Sequence, residues 1–158
     1  MIHKAYLSIG SNIKPAQNIR ACLQKLKNAF PIRRVSSVYE TSPVGPVGGE
    51  KFWNLALEIE TPLSRFQMQH QLRRLESELG RVRNRNKFAP RPIDIDLVLY
   101  KNWRRAGFEK LAFVLFPLAE LAPRLKPRGQ PFSLGQLRRQ FNRPDQKIRK
   151  RGKVFRRP

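Results

Sequence analysis

The stretch Phe52–Thr61, FWNLALEIET, alternates along its whole length and reads as a strand with two unlike faces. Trp53, Leu55, Leu57 and Ile59 fall on one side, apolar throughout, and predict a face packed against helices. Phe52, Asn54, Ala56 and Glu58 fall on the other, where an amide among small and aromatic neighbours suits a ligand-facing surface. A helix follows at once in SRFQMQHQLRRLESELG: Ser64 caps it, Phe66, Met68, Leu72, Leu75 and Leu79 form its stripe, and Gly80 ends it. Upstream, AYLSIGS is a short strand closed by Gly10 and Ser11. QNIRACLQKLKNAF sets Ile19, Cys22, Leu23, Leu26 and Phe30 at helical spacing, and RRVSSVYET alternates as a strand. SPVGPVGGEK reads as a loop, with Gly48 and Gly49 as its hinge.

A last strand lies in FAPRPIDIDLVLY, residues 88–100. The order strand, helix, strand, strand, helix, strand predicts an α+β, ferredoxin-like βαββαβ antiparallel sheet with helices on one face, plus a C-terminal extension. The second face of such a sheet is a natural binding platform. Beyond Tyr100, FVLFPLAELAP predicts a short strand or buried turn leading into a short helix stopped by Pro123, and SLGQLRRQF a final helix. Residues 1–142 form one domain on this reading. Residues 143–158, RPDQKIRKRGKVFRRP, carry many cations and little apolar content and read as a mobile basic tail.

Charge and cysteine usage bound the function. The 158 residues carry 33 Lys and Arg against 11 Asp and Glu, a formal charge of +22. Such an excess invites RNA, DNA or an acidic membrane surface as partner, although its spread along the chain equally fits a generally basic proteome. The lone Cys22 excludes an internal disulfide framework, and its helical-stripe position reads as core. No apolar run approaches a membrane span, and a strand begins almost at the first residue, leaving no room for a signal peptide. A cytoplasmic protein without a membrane partner is expected. His3 and His70 have no metal-ligand spacing and receive no role.

The chemistry concentrates in PRPIDIDL. Alternation places Asp94 and Asp96 on one face of the strand, with Ile93, Ile95 and Leu97 on the other. Two like charges side by side repel, and partial burial worsens the repulsion. A divalent cation would relieve it; so would simple salt bridges to neighbouring arginines. The cationic GRVRNRNK and the Pro-Arg-Pro turn just upstream favour the metal reading, since Mg2+ takes one or two carboxylates plus phosphate oxygens. Arg81, Arg83 and Arg91 would then neutralise a polyphosphate. No Walker A lysine loop is present, so a nucleotide site here is not of the P-loop kind.

Taken together, YLSIGSN, SSVYETSPVGP, FWNLA, LESELGRVR and APRPIDIDLVLY resemble, in order and spacing, the 6-hydroxymethyl-7,8-dihydropterin pyrophosphokinases of folate biosynthesis. The likeness covers roughly residues 5–100 and resumes at FVLFPLAELAP. It implies transfer of a pyrophosphoryl group from ATP to a pterin hydroxymethyl group, with two Mg2+ ions as cofactors and the pterin and ATP as small-molecule partners. Position by position, it implies that Asp94 and Asp96 hold the metals, that Arg91 and Arg81 contact the phosphates, and that Glu76 and Arg83 lie on the nucleotide side. Asn54 would read the pterin edge with help from Thr41, Ser42 and Val44. Phe52, Phe88 and Phe113 would supply the aromatic walls.

The sequence departs from the family pattern between the Asp-x-Asp strand and FVLFPL. KNWRRAGFEKLAF is short, holds no histidine, and has Leu111 where the family has an arginine. Phe88 replaces the usual Trp, Phe52 the usual Tyr and Ala89 the usual Gly. Arg104, Arg105 or Lys110 are the residues left to bind a triphosphate on that side. Two other readings stay open: a pterin-binding relative with lost or altered ATP use or a different pterin, and an RNA-binding protein using its sheet and tail. The RNA reading is not favoured, because no RNP-type strand motif is present. The sequence does not choose between monomer and dimer.

Overall fold

A computed structural model describes residues 1–42, 50–83, 85 and 89–155. Among these described residues, seven strands and four helices follow one another as β1 (His3–Ser11), α1 (Pro15–Ala29), β2 (Ile32–Val35), β3 (Val38–Thr41), β4 (Phe52–Thr61), α2 (Arg65–Glu78), β5 (Asp94–Tyr100), β6 (Trp103–Arg104), α3 (Ala112–Leu121), α4 (Leu134–Gln140) and β7 (Ile148–Gly152), with a short 3-10 helix at Phe108–Lys110. The sheet runs β6-β5-β1-β4-β3-β7, with β2 also paired to β4. Every pairing is antiparallel. With β2 and β3 counted as one interrupted strand, the central order is that of a ferredoxin-like sheet, as the sequence predicts.

The interruption has a local cause. The chain from Arg33 to Thr41 reads as a single strand, but Ser36 turns its hydroxyl inward, where it accepts the backbone N–H of Ala56 at 2.8 Å and donates to the Ser37 carbonyl at 2.8 Å. A serine competing with the ladder in this way breaks regular pairing without separating the strands.

Two apolar layers flank the sheet. On one side Leu7, Ile9, Leu55, Leu57, Ile59, Ile95 and Leu97 pack against Ile19, Cys22, Leu23 and Leu26 of α1 and Met68, Leu72 and Leu75 of α2. On the other, Tyr6, Ala56, Val98 and Leu99 pack against Val114, Leu115 and Leu118 of α3 and Leu134 of α4. The extension thus covers part of the face expected to stand open. FVLFPLAEL contains no strand: it is apolar except for Glu120, mostly buried, and helical through Pro117. A capping box formed by Ser64 and Gln67 starts α2 as expected, and another formed by Ser133 and Gln136 starts α4. Among the described residues no helix is long and apolar enough to cross a membrane.

The C-terminal residues correct the reading of a mobile tail. Ile148–Gly152 pair with β3 as a further strand, and Phe155 is buried in the α1/α2 core. Gln146 clasps the start of α3, donating to the Lys110 carbonyl and accepting the Ala112 N–H, both at 2.8 Å. Composition hid this because the strand is cationic. Its stability comes from backbone pairing and from acids supplied by other elements.

Chief among those acids is Glu120 of α3. Its carboxylate accepts the Ser37 N–H and hydroxyl, both at 2.9 Å, and the Tyr39 hydroxyl at 2.7 Å, and it lies 3.6 Å from Lys150 and 3.3 Å from Lys153. Burial alone would raise its pKa, but these donors outweigh burial and hold it at about 2, against an ordinary 4.5. A depressed carboxylate stabilises the fold above its unfolded pKa and loses that contribution as pH falls from there through the folded value. Discounted for the solvent that still reaches the group, the shift is worth about 2 kcal/mol at neutral pH. Glu120→Gln should therefore lower the urea unfolding free energy by about that amount near pH 7, and the gap to the parent should narrow by about pH 3. A gap that stays constant with pH would contradict the assignment.

Candidate functional site

The period of two along the strands places Ser8 and Gly10 of β1, Asn54 of β4, and Asp94 and Asp96 of β5 on the same face as α3, toward the end of the sheet beyond the apolar layer. Register brings them side by side: Gly10 lies between Asn54 and Asp94, and Ser8 is opposite Asp96.

Gly10 is the floor of this group. A Cβ there would sit 3.0 Å from the Asn54 amide oxygen, so the bare backbone is what admits that amide, while the Phe52 ring at 3.8 Å would be in ordinary contact. Asn54 is buried and donates through Nδ2 to Thr41 Oγ1 at 2.9 Å and to the Tyr39 carbonyl at 3.3 Å. Its amide is thereby oriented, with the oxygen over Gly10. Phe52 is half-buried beside it, Ser42 is exposed just past the end of β3, and Phe113 is half-buried in the first turn of α3. Val44, Phe88 and the Gly48-Gly49 hinge lie outside the described residues.

Three arginines converge on the aspartates, each aimed by a different piece of backbone. Arg81 follows the end of α2, where Gly80 at φ +89° closes the helix. The Gly80 N–H bonds the Ser77 carbonyl at 3.1 Å and the Arg81 N–H the Glu76 carbonyl at 3.0 Å, a Schellman motif. Arg81 thus folds back to bridge Glu76 and Asp94 through Nη1. Arg91 is fixed by a reciprocal clasp: its N–H donates to Asn12 Oδ1 at 2.7 Å and its carbonyl accepts the Asn12 N–H at 3.3 Å. Its Nη1 then reaches Asp94 Oδ2 at 3.1 Å. Arg105 comes from the end of the β5–β6 hairpin and places Nη1 2.6 Å from Asp96 Oδ2.

Glu76, buried on α2, is the hub behind the pair. It accepts the Ile95 N–H at 2.7 Å, Arg81 Nη1 at 2.5 Å and Arg83 Nη2 at 3.0 Å. Burial raises its pKa, and the Ile95 N–H and Arg81 oppose that. Asp96 is likewise raised, first by burial and then by the charge of Asp94, with Arg105 and Arg81 acting in the other direction. The arginines therefore moderate the repulsion without removing it.

Of the residues expected at the site, Asp94, Arg81, Arg83, Arg91 and Glu76 form one continuous ionic network, Asp96 stands two residues along the strand in a separate pair with Arg105, and Thr41, Phe52 and Asn54 cluster beside them. Lys110 does not join either group: it is exposed at the end of the 3-10 helix. Arg104 is engaged elsewhere, donating to the Arg128 carbonyl at 2.9 Å and lying 3.7 Å from Glu109. Sequence reading did not foresee the contact of Arg105 with Asp96 or the clasp of Asn12 on Arg91. The first crosses a hairpin nine residues long and the second spans 79 residues, and neither leaves a periodic pattern. No group of three or more His, Cys, Asp or Glu side chains comes together among the described residues, so the two aspartates are the acidic pair available to a cation. A separate groove between α1 and α2, around Leu63, Phe66 and His70, lies away from this chemistry.

Residues 6–123 match the model of the 7,8-dihydro-6-hydroxymethylpterin-pyrophosphokinase family. The 2-amino-4-hydroxy-6-hydroxymethyldihydropteridine pyrophosphokinase of Bacillus subtilis is 35% identical over 135 residues, covering 77% of this chain and 80% of its own. The proteins of the same name from Pseudomonas aeruginosa and Methylorubrum extorquens are 32% and 36% identical, covering 82% and 80% of this chain and 88% and 87% of theirs. With the βαββαβ sheet and the carboxylate pair in the expected register, this chain belongs to the 7,8-dihydro-6-hydroxymethylpterin-pyrophosphokinase family.

Proposed function

We propose that this chain transfers a pyrophosphoryl group from ATP to the hydroxymethyl group of 6-hydroxymethyl-7,8-dihydropterin. The observation that carries the reading is the adjacency, on one sheet face, of an oriented amide over a glycine floor and an arginine-ringed pair of carboxylates. The first suits a flat heteroaromatic ring and the second a metal-bound polyphosphate.

The donor set fits Mg2+. Two hard carboxylates one residue apart are what the ion takes from a protein when phosphates supply further oxygens. Asp96, raised by burial and by Asp94, is a carboxylate whose charged form gains from a nearby cation. Held by Asp94 and Asp96, Mg2+ would neutralise phosphate charge and orient the triphosphate for in-line displacement.

The chain's own groups do the rest by positioning. Asn54 and Thr41 hold the pterin edge, and Phe52 lies against the glycine floor where a ring would stack. The pterin hydroxyl oxygen bonds to the β-phosphorus, the bond from that phosphorus to the α,β-bridging oxygen breaks, AMP leaves, and the hydroxyl proton passes to solvent. Arg81 and Arg91 stabilise the charge that spreads over the transferring group. Among the described residues no side chain at the site is arranged as a strong base, and the reading makes catalysis chiefly orientation and charge. The shortened segment after β5 favours a second reading, a pterin-binding relative with weakened ATP use; ATP binding separates the two.

Asp96→Ala should keep its thermal midpoint within a few degrees of the parent, because it relieves repulsion, while Mg2+-dependent binding of an ATP analogue falls by roughly 100-fold, the scale expected of a lost metal ligand. Calorimetry in the presence and absence of Mg2+ makes the test, and undiminished MgATP binding would remove the metal role of the pair. On the pterin side, Asn54→Ala should weaken pterin binding by about 1–3 kcal/mol and leave nucleotide affinity unchanged. Gly10→Ala, which crowds the same amide, should act in the same direction. Pterin affinity that survives both changes would move the pterin site elsewhere.

A further inference from the structure

The β5–β6 hairpin carries Arg105 to Asp96 beside an irregularity in the sheet. Pairing between β1 and β5 slips between Tyr6 and Leu7: Tyr6 is opposite Leu99 and Leu7 opposite Leu97, leaving Val98 as an extra residue. The Val98 carbonyl instead accepts the backbone N–H of Arg105 at 2.9 Å. This bond continues the β5–β6 pairing one step past Leu99 and Arg104 and anchors Arg105 beside Val98, two residues from Asp96, from where the guanidinium reaches the carboxylate. Of the three cations in the short KNWRRAGFEK segment weighed for the nucleotide side, Arg104 is tied to Glu109 and Arg128 and Lys110 faces solvent. Arg105 alone of these touches the acidic pair, and its side chain keeps 39% of its surface exposed, so it can reach a ligand.

Charge bookkeeping at the site points the same way. Arg81, Arg83, Arg91 and Arg105 face Glu76, Asp94 and Asp96, one cation more than the acids require. Any metal bound at Asp94 and Asp96 takes carboxylate oxygens that the arginines now hold, and leaves their donors facing a polyanion.

We propose that Arg105 is a nucleotide-binding residue that exchanges partners, resting on Asp96 when the site is free and binding the triphosphate once Mg2+ takes that carboxylate. The inference rests on the pyrophosphokinase reading above and adds that Mg2+ and nucleotide each make the other's binding easier through this one side chain. Arg105 acts as a competitor toward Mg2+ alone and as a ligand toward the metal–nucleotide pair. Its removal must shift the two affinities in opposite directions, which a merely structural ion pair would not do.

The test is calorimetry on the full chain and on Arg105→Ala and Arg105→Lys, with Mg2+ alone, with Mg2+ plus α,β-methylene-ATP, and with pterin alone. In Arg105→Ala, Mg2+ alone should bind at least as tightly as in the parent, the Mg2+–nucleotide analogue roughly 10-fold more weakly, in line with loss of one charge-assisted contact, and pterin equally well. Arg105→Lys, which keeps the charge but not the fork, should recover part of the nucleotide affinity and guards against a fold defect in the alanine variant. Unchanged nucleotide affinity in Arg105→Ala, with a parent that binds the analogue, would overturn the exchange. A parent that binds pterin but not the Mg2+–nucleotide analogue would instead overturn the pyrophosphokinase reading, and the exchange with it.

Discussion

Two carboxylates one residue apart on a strand face stand about 7 Å from each other, and at an effective dielectric near 20 their repulsion is about 2 kcal/mol. The rest of the site is arranged around holding that pair together. Three arginines converge on it, and each is delivered by a separate backbone device: a Schellman turn behind Arg81, a clasp with Asn12 behind Arg91, and a hairpin bond to Val98 behind Arg105. None of these devices needs the others. These three contacts are therefore set at the ends of elements, which suits a reaction run by orientation.

The division of the second sheet face serves the same end. α3 and α4 cover the half carrying Tyr6, Ala56, Val98 and Leu99, and the half carrying Gly10, Asn54 and the aspartates lies beyond them. Glu120 fixes that cover in place by gathering Ser37, Tyr39, Lys150 and Lys153 around one carboxylate. The boundary between core and site is set by where α3 begins, at Ala112, directly after the shortened segment.

Much of this was legible in the residues. Periodicity predicted β4 over its whole length and both long helices to within a few residues, because one apolar face against one polar face leaves a strong pattern. The carboxylate pair and its arginines were visible for the same local reason. What escaped was non-local or non-periodic. FVLFPLAEL is apolar at every position but Glu120, so its period is silent. The Ser36 break, the Val98 bulge and the Asn12 clasp are set by partners dozens of residues away, apart from the neighbouring Ser37 contact. IRKRG offered no apolar face at all, and its place beside β3 is decided by open backbone groups and by Glu40 and Glu120, not by its own composition.

That last strand changes how the molecule meets its own copies. A sheet ending at β3 would present a row of unpaired N–H and C=O groups to any extended chain that approached it. β7 occupies that row and substitutes a rim of Arg149, Lys150 and Arg151, with Arg151 lying flat over the Trp53 ring. At the opposite margin β6 is only two residues long and ends in arginine. A second copy drifting into register would meet like charge at one border and almost no backbone at the other. The cations at these two borders thereby work against strand-to-strand pairing between copies.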